Sequence, residues 1–151
     1  MALRNIITKE DVILKKKSRP VEVFDDRLIQ LLDDMSETMY KEEGCGLAAV
    51  QIGVLRRVVI VDVGDGLLEL INPEIVSQEG EQNEPEGCLS LPGESGITSR
   101  PATVKIKAQN RNGQWCVYKG EELKARCFCH EIDHLDGIVF TDRLKEIKTE
   151  V

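Results

Sequence analysis

The chain holds two histidines, and both fall in one stretch, His130-Glu131-Ile132-Asp133-His134. In a helix, positions four apart lie on one face, one turn above the other. Two imidazoles so placed can grip a single transition metal, and the glutamate beside the first can reach a water on that metal. The five-residue pattern also arises by chance on exposed helices, so the flanks matter. Gly120-Glu121-Glu122 reads as a helix start with negative charge in the first turn. Leu123, Cys127, Ile132 and Leu135 supply apolar positions, and Gly137 follows as a helix terminator. The spacing therefore predicts a buried helix built around a metal site.

A catalytic metal usually takes three protein ligands and leaves a position for water. With no third histidine, the missing ligand is a cysteine or a carboxylate. Cys127 shares a helical face with both histidines, but it lies two turns from His134, roughly 10 Å along the axis, and one ion would bridge them only with strain. Cys129 is rotated about 100° from His130, off the metal face. Cys116 lies in a strand-like run and reads as core. Cys45 and Cys88 remain, in Gly44-Cys45-Gly46-Leu47-Ala48-Ala49-Val50-Gln51 and Glu86-Gly87-Cys88-Leu89-Ser90-Leu91-Pro92-Gly93. Both neighbour glycine, which permits close backbone approach. Spacing favours Cys88 and leaves Cys45 open.

Taken together, Gly44 to Gln51, Glu86 to Ser90 and His130 to His134 resemble the peptide deformylases, which carry G-φ-G-φ-A-A-x-Q, E-G-C-φ-S and H-E-φ-D-H in that order. All three match at every defining position, and Arg100-Pro101 and Leu135-Asp136-Gly137 are similar to the family as well. One departure is Cys129, where the family commonly has glutamine; it alters the surroundings of the site without removing a ligand. The chain also ends soon after the histidine motif, so the C-terminal region of many members looks abbreviated.

The resemblance implies hydrolysis of the formyl group from the N-terminal formyl-methionine of new polypeptides, releasing formate. It implies Cys88, His130 and His134 as ligands of one divalent ion, with Fe2+ native and Zn2+, Ni2+ or Co2+ able to replace it. Such an ion lowers the pKa of water toward roughly 7. Glu131 is then general base and acid. The Gln51 side-chain amide and the Leu89 backbone N–H are donors to the developing oxyanion, a role whose loss commonly costs about 3 to 4 kcal/mol. Gly46 and Gly87 are implied as backbone contacts to an extended peptide. Cys45, Leu123 and Cys127 are candidates for the lining of an apolar methionine pocket, and Arg100 is a candidate partner for Asp133.

These residues need elements to hold them. Asp25 to Glu43 reads as a long helix, with Leu28, Leu31, Leu32, Met35 and Met39 at helical spacing, Asp25 and Asp26 at its start and Gly44 at its end. Arg57 to Val63 is β-branched and strand-like. Leu67 to Ile71 follows a Gly64-Asp65-Gly66 turn, Asn72-Pro73 stops it, and Ile75-Val76 begins another strand. Ser77 to Glu86 is polar and reads as a loop. Thr103 to Ala108 alternates like a half-buried strand, Asn110 to Gly113 turns, and Trp115 to Tyr118 returns beside it. A short charged tail starts at Asp142. The sum is an α+β fold, mostly antiparallel sheets packed around a central metal-binding helix, in one catalytic domain over 1–151.

Composition agrees and excludes other classes. The chain is 41% hydrophobic and 31% charged with a net charge of −7, ordinary for a globular domain and unlike a general nucleic-acid binder. No apolar run reaches the roughly 20 residues that span a bilayer. The N-terminus lacks the pattern of a signal or transit segment, and five cysteines fit a reducing compartment. The expectation is a monomer in a bacterial cytoplasm, acting on N-formylmethionyl nascent peptides near the ribosome exit, with no membrane or specific nucleic-acid partner. Two rivals are a zinc peptidase, which would cleave internal bonds and need neither the Cys45 nor the Cys88 motif, and a structural metal module, which would unfold without its ion.

Overall fold

A computed structural model describes residues 2–144. Seven strands and two α-helices form its frame. Helix α1 is Asp26–Lys41, and strands β1 and β2 are Gly46–Ala48 and Val58–Val61. Strands β3, β4 and β5 are Leu68–Glu79, Gln82–Cys88 and Leu91–Arg100. Strands β6 and β7 are Thr103–Gln109 and Trp115–Glu121, and helix α2 is Leu123–Leu135. One sheet has the order β1-β2-β3-β6-β7; β4 and β5 form a separate hairpin. Every paired strand is antiparallel, as the α+β expectation requires.

The larger sheet is covered on both faces. Leu47, Val58, Ile60 and Ile71 pack with the leucine and methionine stripe of α1. Their neighbours Ala48, Val59, Val61 and Leu70 pack with Ala125, Phe128, Ile132 and Leu135 of α2. Alternating side chains thus meet different helices, which is why β2 is an unbroken apolar run buried throughout. The two helices stand on opposite sides of one sheet.

Both helices end in the same device. In α1, Glu43 adopts the left-handed conformation (φ 56°), its N–H donates to Tyr40 O, and Gly44 N donates to Met39 O. That is a Schellman closure with the left-handed residue one position before the glycine that the sequence nominates. Gly44 instead lies close to the end of a side chain: a Cβ there would lie 2.8 Å from Leu89 Cδ1, which would have to shift. In α2 the left-handed residue is Gly137 (φ 75°), with its N–H on His134 O and that of Ile138 on Asp133 O. A Cβ on Gly137 would meet the Lys15 carbonyl oxygen at 2.4 Å, and Ser18 N donates to Leu135 O. The N-terminal segment therefore lies directly against the end of α2.

Three expectations fail in the sheets. Asn72-Pro73 does not end a strand, because β3 runs through it to Glu79. The pair forms a bulge, with a register shift between Ile71 and Glu74. Asn72 takes a positive φ, and its side chain bonds Val21 N, Val21 O and Gln109 Oε1. A bulge is where a strand tolerates a residue without an N–H. Likewise Ser77 to Glu86 is not a loop. It contains the end of β3, a turn and most of β4. Its inward side chain is Glu86, so hydrophobic alternation has nothing to report. Cys116 is half-buried on the edge strand β7, not in the core. In the tail, Phe140–Arg143 forms a short 3-10 helix; the remainder of the charged stretch lies outside the described residues.

Candidate active site

Helix α2 carries the chemistry. Its Cα trace puts His130 and His134 on one face, with ring centroids 5.0 Å apart in an edge-on arrangement. His130 is 7% exposed and His134 fully buried. Cys88 ends β4, where the hairpin turns through Leu89 and Ser90 into β5. That turn delivers the sulfur to the helix: Cys88 Sγ lies 3.3 Å from His134 Nε2. One ligand atom from each of Cys88, His130 and His134 falls within 4.8 Å of the others. Of the two thiols that spacing leaves open, Cys88 joins the histidines. Cys45 does not; its sulfur lies 2.8 Å from Cys127 Sγ.

The imidazole of His130 is oriented from behind. Its Nδ1 lies 2.6 Å from Glu86 Oε2, which turns Nε2 toward Cys88. Glu86 is itself saturated. It accepts from Thr98 Oγ1 at 2.8 Å, Arg100 Nε at 3.1 Å and Nη2 at 2.6 Å, and Arg126 Nη1 at 2.7 Å. Arg100 continues to Asp133 Oδ2 at 2.7 Å, the pairing expected from sequence, and Arg143 grips the same carboxylate. Burial opposes the charge on Glu86, but His130 and Arg100 outweigh it and hold the carboxyl well below its usual range. The sequence reading missed Glu86 and Arg126. The signal for Glu86 is its place as the first residue of E-G-C-φ-S.

Glu131 is 4% exposed, and its Oε1 has no hydrogen-bond partner within the protein. Burial pushes its carboxyl up to about 7. Burial pushes His134 down to about 3, toward the neutral ligand form. A Cβ on Gly46 would fall 2.5 Å from Glu131 Oε2, so only glycine lets β1 pass beneath this carboxylate. Gln51 lies in the 3-10 turn Ala49–Ile52. Its Oε1 accepts from Ala48 N at 2.9 Å, and its Nε2 faces Ser90 Oγ at 3.1 Å and Cys88 Sγ at 3.5 Å. The acceptor end is thereby fixed and the donor end turned to the sulfur.

A cavity of about 360 Å³ opens over this cluster. Gly46 of β1 and Gly87 of β4 line it together with Gln51, Cys88, Leu89, His130 and Glu131. Cys45, Leu123 and Cys127 also line it, with Leu123 half out in solvent. Both flanking strands are edges of their sheets. Cys129 is buried away from the cavity lining, and burial pushes its thiol up to about 11. A soft cysteine sulfur and two imidazoles form a donor set suited to one divalent transition-metal ion, and the free Oε1 of Glu131 suits a polar molecule beside it.

Comparison with known proteins agrees with that chemistry. A family model for polypeptide deformylase matches residues 3–150. The peptide deformylase of Acetivibrio thermocellus is 60% identical over 144 residues, covering 95% of this chain and 85% of its own. Among solved structures, peptide deformylase from Thermotoga maritima superposes with a TM-score of 0.94 at 37% identity, covering 97% of this chain and 100% of its own. The enzyme from Ehrlichia chaffeensis, solved with actinonin, gives 0.94 at 38% identity and coverages of 97% and 91%. Three ordered motifs, the helix-and-hairpin site and these relatives lead to one conclusion: the chain belongs to the peptide deformylase family.

Proposed function

We propose that this chain hydrolyses the formyl amide at the N-terminal formyl-methionine of nascent polypeptides, releasing formate and a free amine. Cys88, His130 and His134 would hold the metal ion. When bound there, a divalent cation supplies Lewis acidity, which makes water nucleophilic at neutral pH. The observation that carries the reading is the buried carboxylate of Glu131, whose Oε1 has no hydrogen-bond partner in the protein, beside that ligand set. Glu131 takes the proton of the attacking water and delivers it to the amine nitrogen as the C–N bond breaks. The Gln51 Nε2–H and the Leu89 backbone N–H stabilise the negative charge on the former carbonyl oxygen. Glu86 fixes the ring of His130 and keeps Nε2 as its free donor atom.

The substrate backbone lies extended between the β1 and β4 edges, beside Gly46 and Gly87. The methionine side chain enters the part of the cavity lined by Cys45, Leu123 and Cys127. Ferrous iron is the proposed native ion, and zinc, nickel or cobalt suit the same donors. The catalytic unit is proposed to be one domain over 1–151, monomeric, in a bacterial cytoplasm near the ribosome exit. Supporting this are the bacterial relatives, and the fact that no helix among the described residues is long and apolar enough to cross a membrane.

The test is formate release from formyl-Met-Ala by anaerobically prepared, metal-analysed protein, with acetyl-Met-Ala and unblocked peptides as controls. Only the formyl substrate is expected to turn over. Glu131→Ala should keep its metal and lose roughly 10²- to 10⁴-fold in kcat. Cys88→Ser should bind metal weakly or not at all. Full turnover by Glu131→Ala, or equal cleavage of internal bonds, overturns the reading.

A further inference from the structure

Among the five cysteines, Cys45 and Cys127 are set apart by their contact with each other. Cys88 faces His134, Cys116 lies near Asn110 and Gln114, and Cys129 is buried on its own stretch of α2. Cys45 stands at the entrance to β1, and Cys127 stands one turn before His130 on α2. Their sulfurs are 2.8 Å apart although 82 positions separate them in the chain. A disulfide needs about 2.05 Å, so closure asks only a small movement. Cys45 is half-buried and lines the cavity. A soluble reagent therefore reaches it from the open side, while Cys127, on the wall of the same cavity, is only 4% exposed.

We propose that Cys45 and Cys127 form a redox-active dithiol that closes to a disulfide across the cavity wall when a low-molecular-weight disulfide is present. In the first step the Cys45 thiolate attacks one sulfur of that reagent. A Cys45–reagent mixed disulfide forms, and one reagent thiolate leaves. In the second, the Cys127 thiolate attacks Cys45 Sγ and expels the second reagent thiolate. Two protein thiols are oxidised, one reagent disulfide is reduced to two thiols, and the two protons released by the cysteines go to the departing thiolates.

The roles follow from position and from mutual influence. The two sulfurs share one hydrogen bond, and that contact favours the thiolate on the more exposed Cys45 and suppresses ionisation of Cys127. Capping Cys45 in the mixed disulfide removes the neighbouring thiolate and frees Cys127 to react. The exchange leaves Cys88, His130 and His134 outside the reacting pair. It also does not depend on what the cavity binds, so it stands or falls separately from the proposed hydrolysis.

The test uses nickel-loaded full-length protein treated with oxidised glutathione. Thiols titrated in denaturant should fall by two, and peptide mapping should recover Cys45 joined to Cys127. Bound nickel should be unchanged, and Tm should rise by roughly 5–15 °C, as expected for closing a long loop. All of these should reverse with dithiothreitol. Cys127→Ser should trap glutathione on Cys45, and Cys45→Val should give neither cross-link nor adduct on Cys127. An unchanged thiol count, a stable glutathione adduct on Cys45 in the unsubstituted chain, or a cross-link that includes Cys88 or Cys129 overturns the proposal.

Discussion

The two helices pack against opposite faces of one sheet, yet they are built on opposite principles. Helix α1 buries leucine and methionine and turns most of its charge outward. Helix α2 buries Arg126, His130, Glu131 and His134 along with its apolar residues. The first is held by area removed from water, about 25 cal/mol per Å². The second is held in place by a polar partner, the β4–β5 hairpin, whose Glu86 meets His130, Arg100 and Arg126 together. Apolar packing is forgiving about direction. Saturated charge is not, and a ligand set needs direction. Both faces of the sheet thus bury apolar side chains, and the α2 face adds a geometric demand that the α1 face does not carry.

Breaking the polar side should have the largest effect. Glu86→Ala leaves Arg100 and Arg126 buried without their shared carboxylate, at a cost of about 3 to 5 kcal/mol. Metal affinity should fall roughly 10- to 100-fold as His130 loses its anchor. Denaturant unfolding and metal titration read the two losses separately. Leu32→Ala, on the apolar side, should cost about 2 to 5 kcal/mol with metal affinity and kcat intact below the new melting point. If Leu32→Ala weakened metal binding as much as Glu86→Ala does, the division of labour would be wrong.

Smaller changes sharpen the contrast. Asp25 caps α1 by accepting from Leu28 N, and Asp25→Ala should cost about 1 kcal/mol without touching turnover. Asp34 is the exception on α1, a buried carboxylate bound by Ala2 N, Arg4 and Gln30. Burial opposes its charge, but Arg4 and these donors outweigh it, and its pKa is lowered. Its contribution is therefore present above the ordinary aspartate value and lost as pH falls through its folded one. Asp34→Asn should lower Tm slightly near neutrality. Melting curves for the two proteins should converge as the solution is acidified.

How legible each region is in sequence follows the same split. The α1 stripe is readable because apolar residues recur at 3.6, and all five named positions are buried. The apolar face of β2 is readable for its β-branched run. The α2 ligands are readable because chemistry restricts residue type more tightly than packing does. The hairpin that completes the site is not. Of the buried positions in its two strands, Glu86, Thr98 and Arg100 are polar and Leu91 alone is apolar, so a strand that faces a charge cluster reads as a solvated loop. The continuation of β3 through Asn72-Pro73 was hidden for another reason. The stop signal is real locally, and the Asn72 side-chain bonds to Val21 and Gln109 override it. Cys45 illustrates a third limit, since a partner 82 positions away leaves no periodic trace.

The junction of Gly137 with the Lys15 carbonyl has a consequence for biosynthesis. Lys15 and Ser18 are translated before every strand of the sheet, and the helix end they brace is translated after all of them. His134 sits in that last turn. The active centre therefore cannot mature as the N-terminal segment emerges, because that brace waits for a helix end still inside the ribosome until the whole sheet between them has been made.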